Sequence, residues 1–318
     1  MREIGGYFEL QMDFVPEYYP NLVRLNSGRH ALEYAILANN YKKIYLPRYI
    51  CDVALEPIIR NKIEFEFYSL NEELAPLKNI EPSKDEALLY VNYFGLKDDI
   101  VSQLSKSVRN LIIDNAQAFY AKPLSGITTY YSPRKFFGIP DGGYLSTDTF
   151  LASNIEKDIS YKRLDHLFIR TCESAEKGYP FFKENEKLLS SQPIKGMSKF
   201  TERLLQSINY DNVKISRERN FYHLHKQLKQ VNKLDIPLTP ISGPMAYPLF
   251  IKKKGIKEFL IENKIFVPTY WPNIYATCSK NSLEYSLASF IIALPVDQRY
   301  TIDDMDYIIN VLSGFISK

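Results

Sequence analysis

Two side chains in this sequence have types and a separation that can do chemistry together. Asp114 ends the apolar run Leu111-Ile112-Ile113, and Lys135 follows twenty-one residues later, between Ser132-Pro133-Arg134 and a glycine-rich exit, Asp141-Gly142-Gly143. A lysine amine condenses with an aldehyde, and a carboxylate at a strand end can hold a proton on a ring nitrogen so that the ring withdraws electrons. Pyridoxal phosphate chemistry uses that pair. A lysine by itself is ordinarily a solvated loop residue, so the reading depends on what positions it.

The segment Ser27-Gly28-Arg29-His30-Ala31-Leu32 has a polar start and then apolar residues at helical spacing, which predicts a helix beginning at Ser27 or Gly28. Its free N–H groups and dipole would attract a phosphate, although the same residues also make an ordinary N-cap. Strands are expected over 43–47, 62–68, 87–93 and 111–113. Helices are expected over 51–60, with Pro57 inside, and 99–108. Strands alternating with helices predict an α/β fold with a mostly parallel sheet, in which ligands sit at the carboxyl ends of strands. Asp114 is at such an end. Residues 149–207 read as helical and charged, with loops at 178–180 and 193–196, and a helix is expected over 217–231. A smaller C-terminal α/β unit follows, with strands at 246–252 and 290–294 and helices at 255–263 and 302–316. Thr301 and Asp304 are spaced as a capping box for the last helix. The expected division is a large domain over 1–215, carrying an extended N-terminal arm, and a small domain over 216–318.

Composition narrows the function classes. The 318 residues are 45% hydrophobic and 24% charged, as in ordinary folded proteins, and exceed what one core usually serves. The net charge is only +3, with lysines and arginines spread along the chain, so nucleic acid is not an expected partner. Aromatic residues reach 14%, a richness that serves packing more often than base stacking. Cys51, Cys172 and Cys278 show neither disulfide nor zinc spacing, and His223 and His225 face different sides of a helix, so no metal site is expected. The start lacks a signal-peptide pattern and no apolar run is long enough to span a bilayer; a cytoplasmic protein without a membrane partner is expected.

Taken together, these motifs resemble the DegT/StrS-type sugar aminotransferases, a family of fold-type I pyridoxal phosphate enzymes, and the resemblance covers most of the chain. Ser27-Gly28-Arg29-His30-Ala31-Leu32 matches the family's S-G-T-x-A-L helix start, with arginine for threonine. Val91-Asn92-Tyr93-Phe94-Gly95 stands where the family has V-H-x-x-G, and Asp114-Asn115-Ala116-Gln117 matches D-x-A-Q/H. Gly138, Asp141, Gly142 and Gly143 keep the family's offsets from its lysine. Ala293-Leu294-Pro295 through Thr301 and Asp304 resembles its closing segment. The resemblance implies a seven-stranded, mostly parallel sheet flanked by helices. It implies Lys135 as the cofactor-bearing and proton-moving residue and Asp114 as the partner of the pyridine nitrogen. Gln117 would lie near the ring hydroxyl, with Ser27, Gly28 and Arg29 at the phosphate. It further implies a nucleotide-linked keto sugar as substrate, glutamate as amino donor, a role in amino-sugar or surface polysaccharide synthesis, and a homodimer.

There are departures. The family's phosphate-binding serine, five residues before the lysine, is Tyr130 here, so the hydroxyl donor is either Tyr130 or Ser132. The place of the ring-stacking aromatic is Cys51, with Tyr49 two residues earlier as substitute. The N-x-R-M segment is missing from 149–217, which leaves substrate contacts to be sought at Tyr179, Pro180 and Phe181, near Trp271, or on the arm. Two rival readings stay open. One is a non-transaminating relative, either a regulatory protein or a sugar dehydratase, although the dehydratase branch has histidine in place of Lys135. The other is a glycan- or nucleotide-binding protein without covalent cofactor, against which stands the absence of G-x-x-x-x-G-K-S/T and G-x-G-x-x-G.

Overall fold

The computed structural model describes residues 4–236 and 240–316. In chain order the first part holds β1 (Val23–Leu25), α1 (Gly28–Ala38), β2 (Lys43–Pro47), α2 (Glu56–Arg60), β3 (Glu64–Tyr68), β4 (Glu86–Val91), α3 (Asp98–Ser107), β5 (Leu111–Asp114), β6 (Thr128–Tyr131) and β7 (Gly143–Ser146). A helical stretch follows: α4 (Asp165–Cys172), α5 (Ala175–Ser191), α6 (Lys199–Leu205) and α7 (Tyr210–Leu228). The chain closes with β8 (Ala246–Phe250), α8 (Ile256–Glu262), α9 (Ile274–Thr277), α10 (Leu283–Phe290), β9 (Ile291–Pro295) and α11 (Ile302–Ile316).

Seven strands form one sheet in the order β1-β7-β6-β5-β4-β2-β3. The pairs from β3 to β6 are parallel, and β7 is antiparallel to both β6 and β1. β5, buried at all four residues, is the central strand. Such continuous apolar strands suit a sheet covered on both faces, and they leave polar chemistry only at the strand ends. β8 and β9 pair separately as an antiparallel ribbon in the C-terminal unit.

Three expected elements differ. The helix expected over 51–60 is a 3-10 turn, Asp52–Ala54, followed by α2, so Pro57 sits in a first helical turn, where its missing N–H costs nothing. The loop expected at 178–180 lies inside α5, which Ser174 caps by accepting the Lys177 N–H at 3.2 Å. Gly178 has a packing reason rather than a turn reason: a Cβ there would come within 3.2 Å of the His166 carbonyl oxygen on α4. α7 starts at Tyr210, where Asn209 accepts the Asn212 N–H at 3.0 Å, so this helix runs through the expected boundary between 215 and 216. α11 forms over the span its pattern predicts, with the Thr301 N–H donating to Asp304 at 2.7 Å. Thr301→Ala is expected to cost about 1 kcal/mol of stability, read as a lower urea midpoint with an unchanged m-value. No helix among the described residues is long and apolar enough to cross a membrane.

Candidate active site

Asp114 ends β5 opposite Tyr130 of β6. Its carboxylate accepts the Ala116 N–H at 2.8 Å. Burial pushes this carboxyl above its usual range, against the opposing charge of Lys135. Lys135 ends a 3-10 turn, Pro133–Lys135. The next carbonyl, of Phe136, is clamped by Arg217 Nη2 at 3.2 Å and Gln298 Nε2 at 2.9 Å, one from α7 and one from the C-terminal unit. The lysine turn is therefore fixed from behind while its side chain stays exposed.

Asp114 and Lys135 line one cavity of about 220 Å³, together with Ser27, Gly28 and Ser132. Ser27 caps α1 by accepting the His30 N–H at 3.2 Å. Burial pushes the His30 imidazole down to about 4, so this neighbour of the cap is neutral. Gly28 approaches so closely that a Cβ would lie 3.3 Å from Ser132 Cβ, and a Cβ on Gly143 would lie 2.3 Å from the Ser27 carbonyl oxygen. Gly143 is thus required for β7 to approach the start of α1, and Gly28 brings that start close to Ser132, before the lysine turn. Asp141 faces away: its carboxylate accepts the Ser198 N–H at 2.9 Å and the Ser198 hydroxyl at 2.7 Å, at the start of α6.

The remaining expected residues divide. Tyr130 and Ser132 both line the cavity, and the Ser132 hydroxyl makes no hydrogen bond among the described residues. Gln117 is buried, its Oε1 accepts the Phe94 N–H at 2.7 Å, and its Nε2 has no partner among the described residues. Tyr49 is fully buried, stacked on Tyr93 at 5.6 Å and tilted against Trp271 at 5.0 Å; Cys51, not Tyr49, lines the cavity. The Arg29 guanidinium is already paired, to Glu56 at 2.5 Å and Glu186 at 3.5 Å.

Among the lining residues not singled out from the sequence are Phe182 and Glu186. They are four apart on α5, and that i, i+4 spacing was the available signal. Glu186 also pairs with Arg134. Burial raises the Glu186 carboxyl, but Arg134, Arg29 and Lys135 outweigh it and hold it below the usual range. Lys135 opens on its other side to a second cavity of about 450 Å³, walled by His166, Arg170, Tyr179, Phe182 and Arg299. Of the expected substrate contacts, Tyr179 is in this wall.

The site lies at the carboxyl end of the central strand, where α/β sheets bind ligands. Among solved structures, the chain superposes on the sugar aminotransferase CalS13 from Micromonospora echinospora with a TM-score of 0.62 at 13% identity, over 93% of this chain and 87% of that one. A DegT DnrJ EryC1 StrS aminotransferase from Brucella abortus gives 0.59 at 15%, over 93% and 86%. The fold is that of the fold-type I sugar aminotransferases. ntda from Bacillus subtilis, solved with bound cofactor PMP, has the same fold, with 0.65 at 12% over 93% and 73%. No protein-family model matches the chain, and no curated protein matches it in sequence. Facing the cavity are Tyr130 beside the acid, Cys51 in the wall, and Glu186 between two arginines.

Proposed function

We propose that the protein is a pyridoxal phosphate-dependent aminotransferase acting on a nucleotide-linked keto sugar, with glutamate as amino donor, in amino-sugar or surface polysaccharide synthesis in the cytoplasm. The observation that carries this reading is the joint exposure of a buried carboxylate, Asp114, and a lysine, Lys135, to one cavity whose floor is the start of α1. The residues present suit the cofactor: the close Gly28–Ser132 approach brings the start of α1 and the Ser132 hydroxyl, which makes no hydrogen bond among the described residues, to the same cavity as Asp114 and Lys135. When bound, pyridoxal phosphate supplies an aldehyde and an electron-withdrawing ring. Lys135 Nζ would hold the aldehyde and would move the proton at the substrate carbon. Asp114 would be the acid that holds a proton on the ring nitrogen. The N–H groups at the start of α1 and the Ser132 hydroxyl hold the phosphate, and Gln117 Nε2 addresses the ring oxygen. Substrate enters by the second cavity, where Arg170 offers a cation and Tyr179 and Phe182 offer stacked rings 6.2 Å apart.

A large cofactor domain over 1–215 and a small domain over 216–318, joined through α7, are part of this reading. So is a homodimer, supported by the exposed Tyr7, Phe8 and Phe14 of the arm. The test is the visible spectrum of the purified protein. A band at roughly 410–430 nm that borohydride bleaches and glutamate shifts supports the assignment. Protein that stays colourless with added pyridoxal phosphate rejects it, and a band indifferent to amino donors indicates a non-transaminating relative.

Glu186 bears on the same reading. Its carboxylate stands between Arg29 and Arg134, where the phosphate would be, so cofactor and carboxylate compete for the same cations. Glu186→Gln is expected to tighten pyridoxal phosphate binding by about fivefold to tenfold and to leave unphosphorylated pyridoxal unchanged, measured by absorbance titration. Weaker binding of both would show instead that Glu186 props the arginines in place.

A further inference from the structure

A further cavity does not include Lys135 among its lining residues. It measures about 960 Å³ and lies in the C-terminal unit, between the turn after β8 and the start of α10. Lys252, Lys253, Lys254, Lys257 and Lys280 line it, against one acid, Glu258. None of the five lysines is ion-paired to a carboxylate among the described residues. Two of them are instead tied to backbone oxygens. Lys253 Nζ donates to the Phe315 and Ile316 carbonyls at 2.8 and 3.1 Å, and Lys257 Nζ donates to the Ala288 carbonyl at 2.9 Å. Carbonyl dipoles orient an ammonium without cancelling its charge. Lys257 is half-buried, and burial pushes its amine below the usual range. A cation partly withdrawn from water with no counter-ion costs free energy, which an entering anion returns.

The wall also carries two aromatic rings, Tyr275 and Tyr285, packed edge to face at 5.3 Å, and the hydroxyls of Ser286 and Ser289. The place is concave, which suits a small molecule better than a flat membrane face. We propose that this cavity is a second ligand site, separate from the Lys135 cavity, that takes a small anion with a diphosphate group, of the nucleoside diphosphate class. The ammonium groups receive the phosphates and the tyrosine pair receives the nucleoside. The two cavities have no lining residue in common, but the segment 269–275 runs from one toward the other. Thr269 and Tyr275 face the lysines, while Trp271 and Asn273 between them reach the other way, Trp271 against Tyr49 and Asn273 Nδ2 to the Ile50 carbonyl at 3.0 Å, next to Cys51. A bound diphosphate therefore rests on the segment that backs the acid–lysine cavity.

Calorimetric titration of the full chain, saturated with pyridoxal phosphate, tests this with inorganic pyrophosphate and UDP as probes. One saturable site is expected, weakened at least about tenfold in Lys252→Ala/Lys254→Ala/Lys280→Ala, three exposed side chains whose loss leaves the circular dichroism and the visible spectrum unchanged. UDP binding more tightly than pyrophosphate supports a nucleoside-reading ring pair; equal affinities support a site that reads the diphosphate alone. Wild-type affinity in the triple variant places the anion elsewhere and overturns the proposal. So does the absence of saturation, or lysine-dependent binding to phosphatidylglycerol vesicles without pyrophosphate binding. Because the readout is anion affinity, it is independent of whether the protein transaminates.

Discussion

Lys135→Ala is expected to fold normally, to lose pyridoxal phosphate on gel filtration and to turn over substrate at least about 10³-fold more slowly than the wild type. The fold survives because the side chain is exposed and the turn that carries it is held by backbone contacts: the Lys135 N–H donates to the Ser132 carbonyl at 3.1 Å, and the Phe136 carbonyl is clamped by Arg217 and Gln298. Its thermal midpoint should therefore lie near that of the cofactor-free wild type, as for surface substitutions generally. Chemistry has no such substitute, since no other lysine among the described residues lines the cavity. Lys135→Arg keeps the charge but not a releasable proton, because a guanidinium stays protonated in proteins, so it should be as inactive as the alanine variant. A small exogenous amine should restore part of the proton transfer in Lys135→Ala and none in Lys135→Arg, where the side chain still fills the space. Full activity in either variant would remove Lys135 from the mechanism.

Asp114→Asn should separate stability from function. In the cofactor-free protein, burial disfavours the charged carboxylate and raises its folded pKa above the unfolded value. A carboxyl so raised binds more protons folded than unfolded, so its contribution favours folding at low pH and is lost as pH rises from the unfolded pKa through the folded one. The neutral amide lacks this penalty. The Asp114→Asn substitution should make the cofactor-free protein as stable as the wild type or more so at neutral pH, and should flatten the dependence in that window. With cofactor, the expectation reverses. Without a carboxylate the ring nitrogen loses the partner that keeps it protonated, and turnover should fall by about 10²–10³-fold while cofactor is still retained through Lys135. Urea unfolding at several pH values, alongside half-reaction rates with glutamate, checks both. A variant that transaminates at the wild-type rate would refute the role of Asp114.

The parts of this site that rest on short-range order were legible in the chain. The apolar run before Asp114 is the central buried strand, Ser27 caps the helix predicted from its spacing, and α11 forms over the residues that its capping box and periodicity mark. What failed did so where a local rule met a tertiary need. Gly178 and Pro180 read as a turn, yet the chain stays helical there because Gly178 lets α4 and α5 approach. The cleft side of α5 then delivers Phe182 and Glu186 into the cavity, which no pattern around Asp114 or Lys135 could announce.

The sequence alone determined which residues could do chemistry: an acid at a strand end, a lysine in a turn, a helix start able to face an anion, and glycines spaced for close approach. Each follows from propensities within a few residues. Tertiary structure decided their partners. β5 and β6 lie side by side, so Tyr130 stands opposite Asp114. α2 and α5 converge on the start of α1, so Arg29 finds Glu56 and Glu186 and is not left free. Side chains far apart in sequence compete for the same charge, and that competition is settled only when the elements pack.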